Sequence, residues 1–490
     1  MKKTALVMLV VLLAACQPAP PATVPPVPAL PTDAPPVAVE TTALPAVAPA
    51  APQPLAGPQP PGADRPRYQI NAVLDDSLRS LQVVEEIRFT NPSGSALEFL
   101  PLAVEANRYP GAFEWLGASA DEGEITLESL DANQLRVRLA PALAAGAAMT
   151  LRLEYRLQLP PIQTGQPHIF GYTQRQINLA DWYPFLPPFS PVDGWLLHPP
   201  GAVGEHGVYP AADFDVELYL PSVQPALVVA ASAPGDAVQG GYRYHLEGAR
   251  NFVWSASQEY VVSTQQAGDT RVTSYAYPAT ELAARAALDY TVQALNYFSK
   301  QFGMPPRGSL SIVQADFPDG MEYDGLFFLS DRFYYGFDGS PRSYLALIAV
   351  HETAHQWWYG RVGSDQAMEP WLDEALCTYS ELLFYESLNP ELADWWWDFR
   401  VEPHAPKGSL SATIYDFSRF TPYRNLVYLR GAQFLHALRQ AMGDAAFFNA
   451  LQTYLARFDG QIATRSDFLD AVQQATSKDL SASIADAFKP

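Results

Sequence analysis

The sequence predicts a multidomain α+β protein in which an antiparallel β domain precedes a mainly helical one. Three observations predict it. Between about residues 68 and 250, apolar and polar residues alternate at period two, as in half-buried strands. Beyond about residue 280, apolar residues recur at helical spacing. Within that second region, Val350-His351-Glu352-Thr353-Ala354-His355 places two histidines four residues apart behind an apolar run. The 490 residues suffice for two or three domains with cores of their own. With 48% hydrophobic and 17% charged residues, the composition is that of a globular chain rather than a disordered one. A formal net charge of −21 argues against a generally basic surface that would hold nucleic acid.

Residues 1–16 read as a targeting segment. Lys2 and Lys3 open it, and the apolar run from Ala5 to Ala15 is too short to span a membrane as a mature helix. It ends Leu13-Ala14-Ala15-Cys16, small residues before a cysteine, which looks like a bacterial lipoprotein signal. Cys16 would then be lipidated and anchor the chain to a membrane, each buried CH₂ contributing about 0.8 kcal/mol. An ordinary secretory peptide cleaved after Ala15 is the alternative, and both place the protein outside the cytoplasm. With Cys16 acylated, the other cysteine, Cys377, has no disulfide partner and reads as a small buried thiol. Residues 17–66 are rich in proline and alanine with almost no charge, so they read as a disordered, semi-rigid linker at about 3.1 Å per residue where extended.

Residues 67–250 form the predicted β domain, with turn signals such as Asn91-Pro92-Ser93-Gly94 between strands. His168, His198, His206 and His245 lack ligand spacing and read as solvated or packed. Residues 251–490 form the second domain. Residues 280–302 predict a long helix with Leu282, Ala286, Leu288, Tyr290, Val292, Leu295 and Phe298 as its apolar positions, ended by Gly303. Residues 309–313 read as a strand leading to Gly320-Met321-Glu322-Tyr323-Asp324-Gly325, where an edge strand could pair with an extended peptide. Asp316, Asp319 and Asp324 read as a solvated turn. Helices are expected over 371–385, 425–442 and 447–458, and Trp395-Trp396-Trp397 as packing on the helical lobe.

The pattern H-E-x-x-H carries the chemistry. Imidazoles at i and i+4 project from one helix face, so His351 and His355 can reach one metal ion. A hydrolytic zinc needs a third ligand and an open position. Glu374, separated from His355 by eighteen residues and at the start of a second helix, supplies a candidate. Glu352 is then free to act as general base. For the pentapeptide alone, a buried helix with two satisfied histidines is the plain alternative.

These residues resemble the zinc aminopeptidases of the aminopeptidase N and leukotriene hydrolase family, the gluzincins. His355-Gln356-Trp357 fits the family's H-Q-W. Trp371-Leu372-Asp373-Glu374-Ala375 is similar to its W-L-N-E-G, with Asp373 and Ala375 as departures. Gly320-Met321-Glu322 resembles the G-x-M-E segment, with Asp319 in place of the first glycine. Tyr428-Leu429-Arg430-Gly431-Ala432 is similar to Y-x-K-G-A.

The resemblance implies an N-terminal β-saddle domain, to which Asp181-Trp182-Tyr183-Pro184 is similar, and a thermolysin-like catalytic domain. It implies one Zn²⁺ per chain on His351, His355 and Glu374, with Glu352 as base and Tyr428 stabilising the oxyanion. Gly320, Met321 and Glu322 would bind substrate, Glu322 holding its free α-ammonium. Glu381, seven residues past Glu374, would steady a ligand histidine, and Tyr423 matches a recurrent family tyrosine. The chain reads as a short form without the family's C-terminal helical domain. The expected function is an aminopeptidase acting on peptides. An endopeptidase with an open cleft, a non-catalytic zinc-binding surface lipoprotein and an epoxide hydrolase sharing the same zinc set are the alternatives.

Overall fold

The computed structural model describes residues 65–489, apart from 78, 164, 167, 168, 222–224 and 389. The predicted signal segment with Cys16, the linker up to residue 64 and His168 lie outside the described residues.

The alternating segments become strands with alternating burial, as in Ser80–Thr90, whose Leu81, Val83, Ile87 and Phe89 point inward. A seven-stranded sheet runs in the order Gly235–Val238, Gly241–Ala249, Ala212–Tyr219, Arg67–Asp75, Ser80–Thr90, Ala148–Gln158, Phe113–Ala120. It is antiparallel except where Arg67–Asp75 lies parallel to Ala212–Tyr219. A parallel neighbour requires a long return, and the chain between residues 75 and 212 supplies it. Part of that return forms a three-stranded sheet of Leu97–Ala103, Gln134–Leu143 and Glu124–Asp131. The Trp182-Tyr183 pair anchors the region: Trp182 Nε1 donates to the Phe252 carbonyl at 3.0 Å, and Tyr183 Oη accepts from the Phe252 amide at 3.2 Å.

Strand Trp254–Ser257 still pairs with Val228–Ala231 and Ile177–Leu179. The next strand, Val261–Ala267, opens a different sheet, so the change falls between Ser257 and Val261, slightly later than residue 250. This five-stranded sheet runs Val261–Ala267, Thr270–Ala276, Ser309–Ala315, Leu326–Ser330, Gly320–Tyr323, with its three central strands parallel. Gly320–Tyr323 is its edge, as the sequence suggested.

Helix α1 (Glu281–Phe302) covers this sheet, with Leu288, Leu295 and Phe298 of the expected stripe buried and Ala286, Tyr290 and Val292 packed beside them, but without Leu282. Leu282 is 71% exposed, while Ala283, Ala284, Ala287, Leu288, Thr291, Ala294, Leu295 and Phe298 are buried. Small side chains on that face let the backbone approach the sheet closely, and their low hydrophobicity hid that part of the stripe from a count of large residues. The predicted solvated turn is also corrected. Asp324 is buried, paired with Arg307 and accepting the Arg250 amide at 2.9 Å. Asp316 pairs with Arg175, and Asp319 accepts the Gly320 amide at 3.1 Å.

The remaining helices are α2 (Asp331–Tyr335), α3 (Tyr344–Ala354), α4 (Trp371–Leu388), α5 (Pro390–Trp396), α6 (Phe420–Arg424), α7 (Gly431–Met442), α8 (Asp444–Phe458), α9 (Arg465–Gln474) and α10 (Ser481–Phe488). The helix expected over 425–442 begins as a π-helical stretch, Asn425–Arg430, which widens the turn bearing Tyr428 before α7 resumes regular geometry. A β-carbon at Gly431 would overlap that of Ala375, so this glycine permits the approach of α7 to α4.

Arg250 ties the two halves together. Buried, it donates to the carbonyls of Tyr359, Arg361, Tyr209 and Gln461 at 2.8–3.2 Å. A small apolar cluster containing Val253, Tyr260, Val313, Tyr323 and Phe328 fills the same junction.

Candidate metal centre and active site

Helix α3 is buried on all sides from Leu345 to Ala354, so His351 within it and His355 at its C-cap have no solvent to turn to. Ser343 caps its start by accepting the Ala346 amide, a contribution of about 1 kcal/mol in such caps. Helix α4 packs across it and is likewise buried from Trp371 to Tyr385.

His351, His355 and Glu374 converge. His351 Nε2 lies 3.2 Å from Glu374 Oε2, and His355 Nε2 lies 3.7 Å from the same oxygen. One candidate ligand atom from each of the three falls within 4.8 Å of the others. The opposite ring nitrogens are occupied. His351 Nδ1 is 2.8 Å from Glu381 Oε1, and His355 Nδ1 is 2.7 Å from Asp373 Oδ1. A carboxylate on Nδ1 fixes the proton there, which turns a bare Nε2 inward as a metal ligand requires.

The supporting carboxylates are themselves held. Glu381 is fully buried and receives Arg400 Nη2 at 2.9 Å, Arg400 Nε at 3.0 Å and Trp396 Nε1 at 2.9 Å. Burial alone would raise its pKa, but Arg400 and His351 outweigh that and hold its carboxyl below the usual range. Gln366 Nε2 donates to Asp373 Oδ2 at 2.6 Å and to Glu322 Oε1 at 3.4 Å.

Glu352 faces the metal-ligand cluster from α3 with Oε2 buried and unpaired. Burial pushes its carboxyl well above the ordinary range, opposed by His351. Gly320 on the edge strand abuts Glu352 Oε1 so closely that any β-carbon there would overlap it. Glu322, two residues along that strand, is buried with Oε2 3.9 Å from His355 Nε2. Burial again lifts it well above the usual carboxyl range, with His355 opposing and Glu374 reinforcing. Met321, between them, is only partly buried and lines a neighbouring cavity. Tyr428 donates its hydroxyl to Glu374 Oε1, and its ring stacks on His351 at 5.9 Å. Tyr423, buried, packs edge-on against Tyr428.

Four participants escaped sequence reading. Asp373 was visible only as a departure beside Glu374, yet it fixes His355. Gln366 and Arg400 act through Asp373 and Glu381 and carry no spacing signal. Glu205 comes from a loop in the first half, lines the cavity beside Glu322, and is pushed up to about 8 by burial and by Glu374. Cys377 is a buried thiol whose Sγ lies 3.7 Å from the Trp358 carbonyl, on the Nδ1 side of His355. His198, His206 and His245 pair with Asp365, Glu105 and Asp215 respectively, and none is among the three converging ligands.

The donor set suits a borderline divalent cation: two neutral imidazole nitrogens and one carboxylate, with a free position left over. Glu205, Glu322, Glu352, Asp373 and Glu374 bring five carboxyl groups against two imidazoles, an excess of buried acid that a cation would offset. A helix bearing H-E-x-x-H crossed by a second helix bearing the third ligand defines a gluzincin-type site.

The comparisons with known proteins agree. Residues 286–488 match the model of the peptidase family M1 domain. Over that stretch the chain is similar to aminopeptidase N-like members of that family. It is 25% identical to aminopeptidase N of Lactococcus lactis over 226 residues, covering 40% of this chain and 25% of that protein. It is 26% identical to a mitochondrial aminopeptidase 2 of Saccharomyces cerevisiae over 246 residues, 46% of this chain and 25% of that one. The match thus spans about a quarter of the length of these relatives. The fold is similar to a crystal structure of a mutant M1 zinc metallopeptidase from Deinococcus radiodurans, with a TM-score of 0.60 at 19% identity, covering 86% of this chain and 93% of that one.

Proposed function

We propose that this chain is a zinc-dependent aminopeptidase that removes residues from the free N-terminus of peptides. The observation that carries the reading is the meeting of His351, His355 and Glu374 with both Nδ1 atoms already held by carboxylates. Zinc held by those three side chains would supply Lewis acidity and a water of lowered pKa.

The chain's own residues do the rest. Glu352, unpaired and raised in basicity by burial, takes a proton from the attacking water and later delivers it to the departing amine. Tyr428 turns its hydroxyl from Glu374 toward the oxygen on which negative charge develops, a donor worth about 3–4 kcal/mol in comparable sites. Glu322, buried and paired with no lysine or arginine among the described residues, receives the substrate's α-ammonium, and the edge strand Gly320–Tyr323 offers backbone groups to an extended peptide. Fixing the amine sets the register, so one residue is removed at a time.

Glu352→Gln tests the chemistry: zinc content stays at one per chain while turnover is lost, and full activity in that variant sinks the proposal. N-acetylated peptides test the register. Equal cleavage of blocked and free peptides would replace the aminopeptidase with an endopeptidase.

We also propose that the enzyme is carried outside a bacterial cytoplasm by its N-terminal segment, lipidated at Cys16. Lys2, Lys3, the apolar run and Leu13-Ala14-Ala15-Cys16 support this. The described chain then divides into a β domain ending near residue 257 and a catalytic domain beyond it. Metabolic labelling with a radioactive fatty acid, with and without Cys16→Ala, decides it.

A further inference from the structure

A cavity of about 180 Å³ adjoins the metal-ligand cluster, and Glu322 stands in its wall. Three further carboxylates in that wall come from the β region: Glu105, on a short helical turn, Asp181, after strand Ile177–Leu179, and Glu205, which burial and Glu374 push up to about 8. Glu105 is already answered by His206 at 3.0 Å, Arg108 at 3.2 Å and Asn133 at 2.7 Å. Asp181 is different. Its Oδ1 accepts the Tyr209 hydroxyl at 2.7 Å, and among the described residues no cation pairs with it. It is also held at a backbone φ of 51°, the left-handed region that side chains other than glycine rarely occupy. A half-buried charge without a paired cation costs stability, and such a cost gathers where a ligand repays it.

We propose that this cavity receives the side chain of the substrate's first residue and that Asp181 selects a basic one, lysine or arginine. The proposal rests on the aminopeptidase reading, in which Glu322 holds the α-ammonium and the first side chain enters the neighbouring space. Tyr109 and Tyr209 line the same wall and give the methylene stem aromatic carbon to pass while the carboxylate meets its charged end. Arg108 is engaged by Glu105 and does not cancel Asp181. An acidic first residue would meet unpaired like charge, and an uncharged one would leave Asp181 covered without a partner.

The experiment uses the zinc-loaded protein with arginyl, lysyl, leucyl, alanyl and glutamyl reporter substrates, together with Asp181→Asn, which keeps shape and the Tyr209 contact. The expected result is a kcat/KM for arginyl and lysyl substrates about tenfold or more above leucyl and alanyl, as loss of one charge contact implies. In Asp181→Asn the basic substrates fall at least about tenfold while the leucyl and alanyl rates stay within about twofold. Leucyl or alanyl substrates cleaved as well as arginyl ones, or equal losses on all substrates in Asp181→Asn, would overturn the selection while leaving the aminopeptidase standing. Failure on every aminoacyl substrate beside cleavage of N-blocked peptides would overturn both.

Discussion

Glu381 Oε1 lies 2.8 Å from His351 Nδ1, and the same carboxylate is gripped by Arg400 through two nitrogens. The histidine's orientation therefore depends on a residue one layer out, and that residue on a third. Replacing Glu381 by Gln keeps a hydrogen-bond acceptor but removes the charge that holds the proton on Nδ1. Zinc affinity is expected to fall about 10–100-fold, the usual range for such supports. Competition with a chelator of known affinity measures it. Glu381→Ala would also leave Arg400 buried without its partner and cost stability of about 3–5 kcal/mol, read by denaturant unfolding.

Tyr428→Phe isolates the oxyanion donor. The phenolic hydroxyl touches Glu374, but the ring stack on His351 remains when it is removed. We expect kcat to fall about 10²–10³-fold with KM within a few-fold and zinc content unchanged. A proportional rise in KM instead would mean that the hydroxyl binds the ground state equally.

Gly320→Ala asks whether the edge strand and the base are fitted to one another. The added methyl overlaps Glu352 Oε1, so either the strand or the carboxylate must move. Lower kcat with intact zinc binding is expected, because Glu352 is not among the three converging ligands. Unchanged kcat would show that this approach has slack.

Much of this was legible in the sequence, for physical reasons. A spacing of four on a helix fixes relative direction, so His351 and His355 follow from the chain alone. Glu374 was a candidate by its place on a second helix, and the family resemblance singled it out together with Tyr428, because nothing local brings α4 and the π-helical turn to α3. Asp373 and Glu381 both lie on α4 and meet different histidines, yet only Glu381 was singled out beforehand. The asymmetry arises because a carboxylate next to a ligand looks like a surplus charge until the crossing of α3 and α4 is known. Glu205 and Asp181 were opaque: they reach the cavity from loops whose course is set by long-range pairing. Leu282 failed for the opposite reason, since Ala283, Ala284 and Ala287 take the buried face at that end of α1.

Asp181 also makes a prediction about stability. Burial, then Glu105, raises its pKa from 3.8 to about 6, with Tyr209, His206 and Arg108 opposing. Tyr109, Tyr323 and Tyr359 also line the cavity around it. The folded state therefore holds this proton more tightly than the unfolded chain. The stability it confers is complete below about pH 4, declines as pH rises toward 6, and is absent above it. At about 1.4 kcal/mol for each tenfold gain in proton affinity, the rise sets an upper bound of about 3 kcal/mol. Asp181→Asn cannot ionise and escapes the loss. Its melting temperature should match the parent near pH 4 and exceed it at pH 7–8, measured on the zinc-loaded protein by scanning calorimetry. A variant that is both more stable at neutral pH and blind to basic side chains would mark Asp181 as a charge kept for its ligand. Equal melting temperatures at both pH values would mean that the carboxylate is fully solvated.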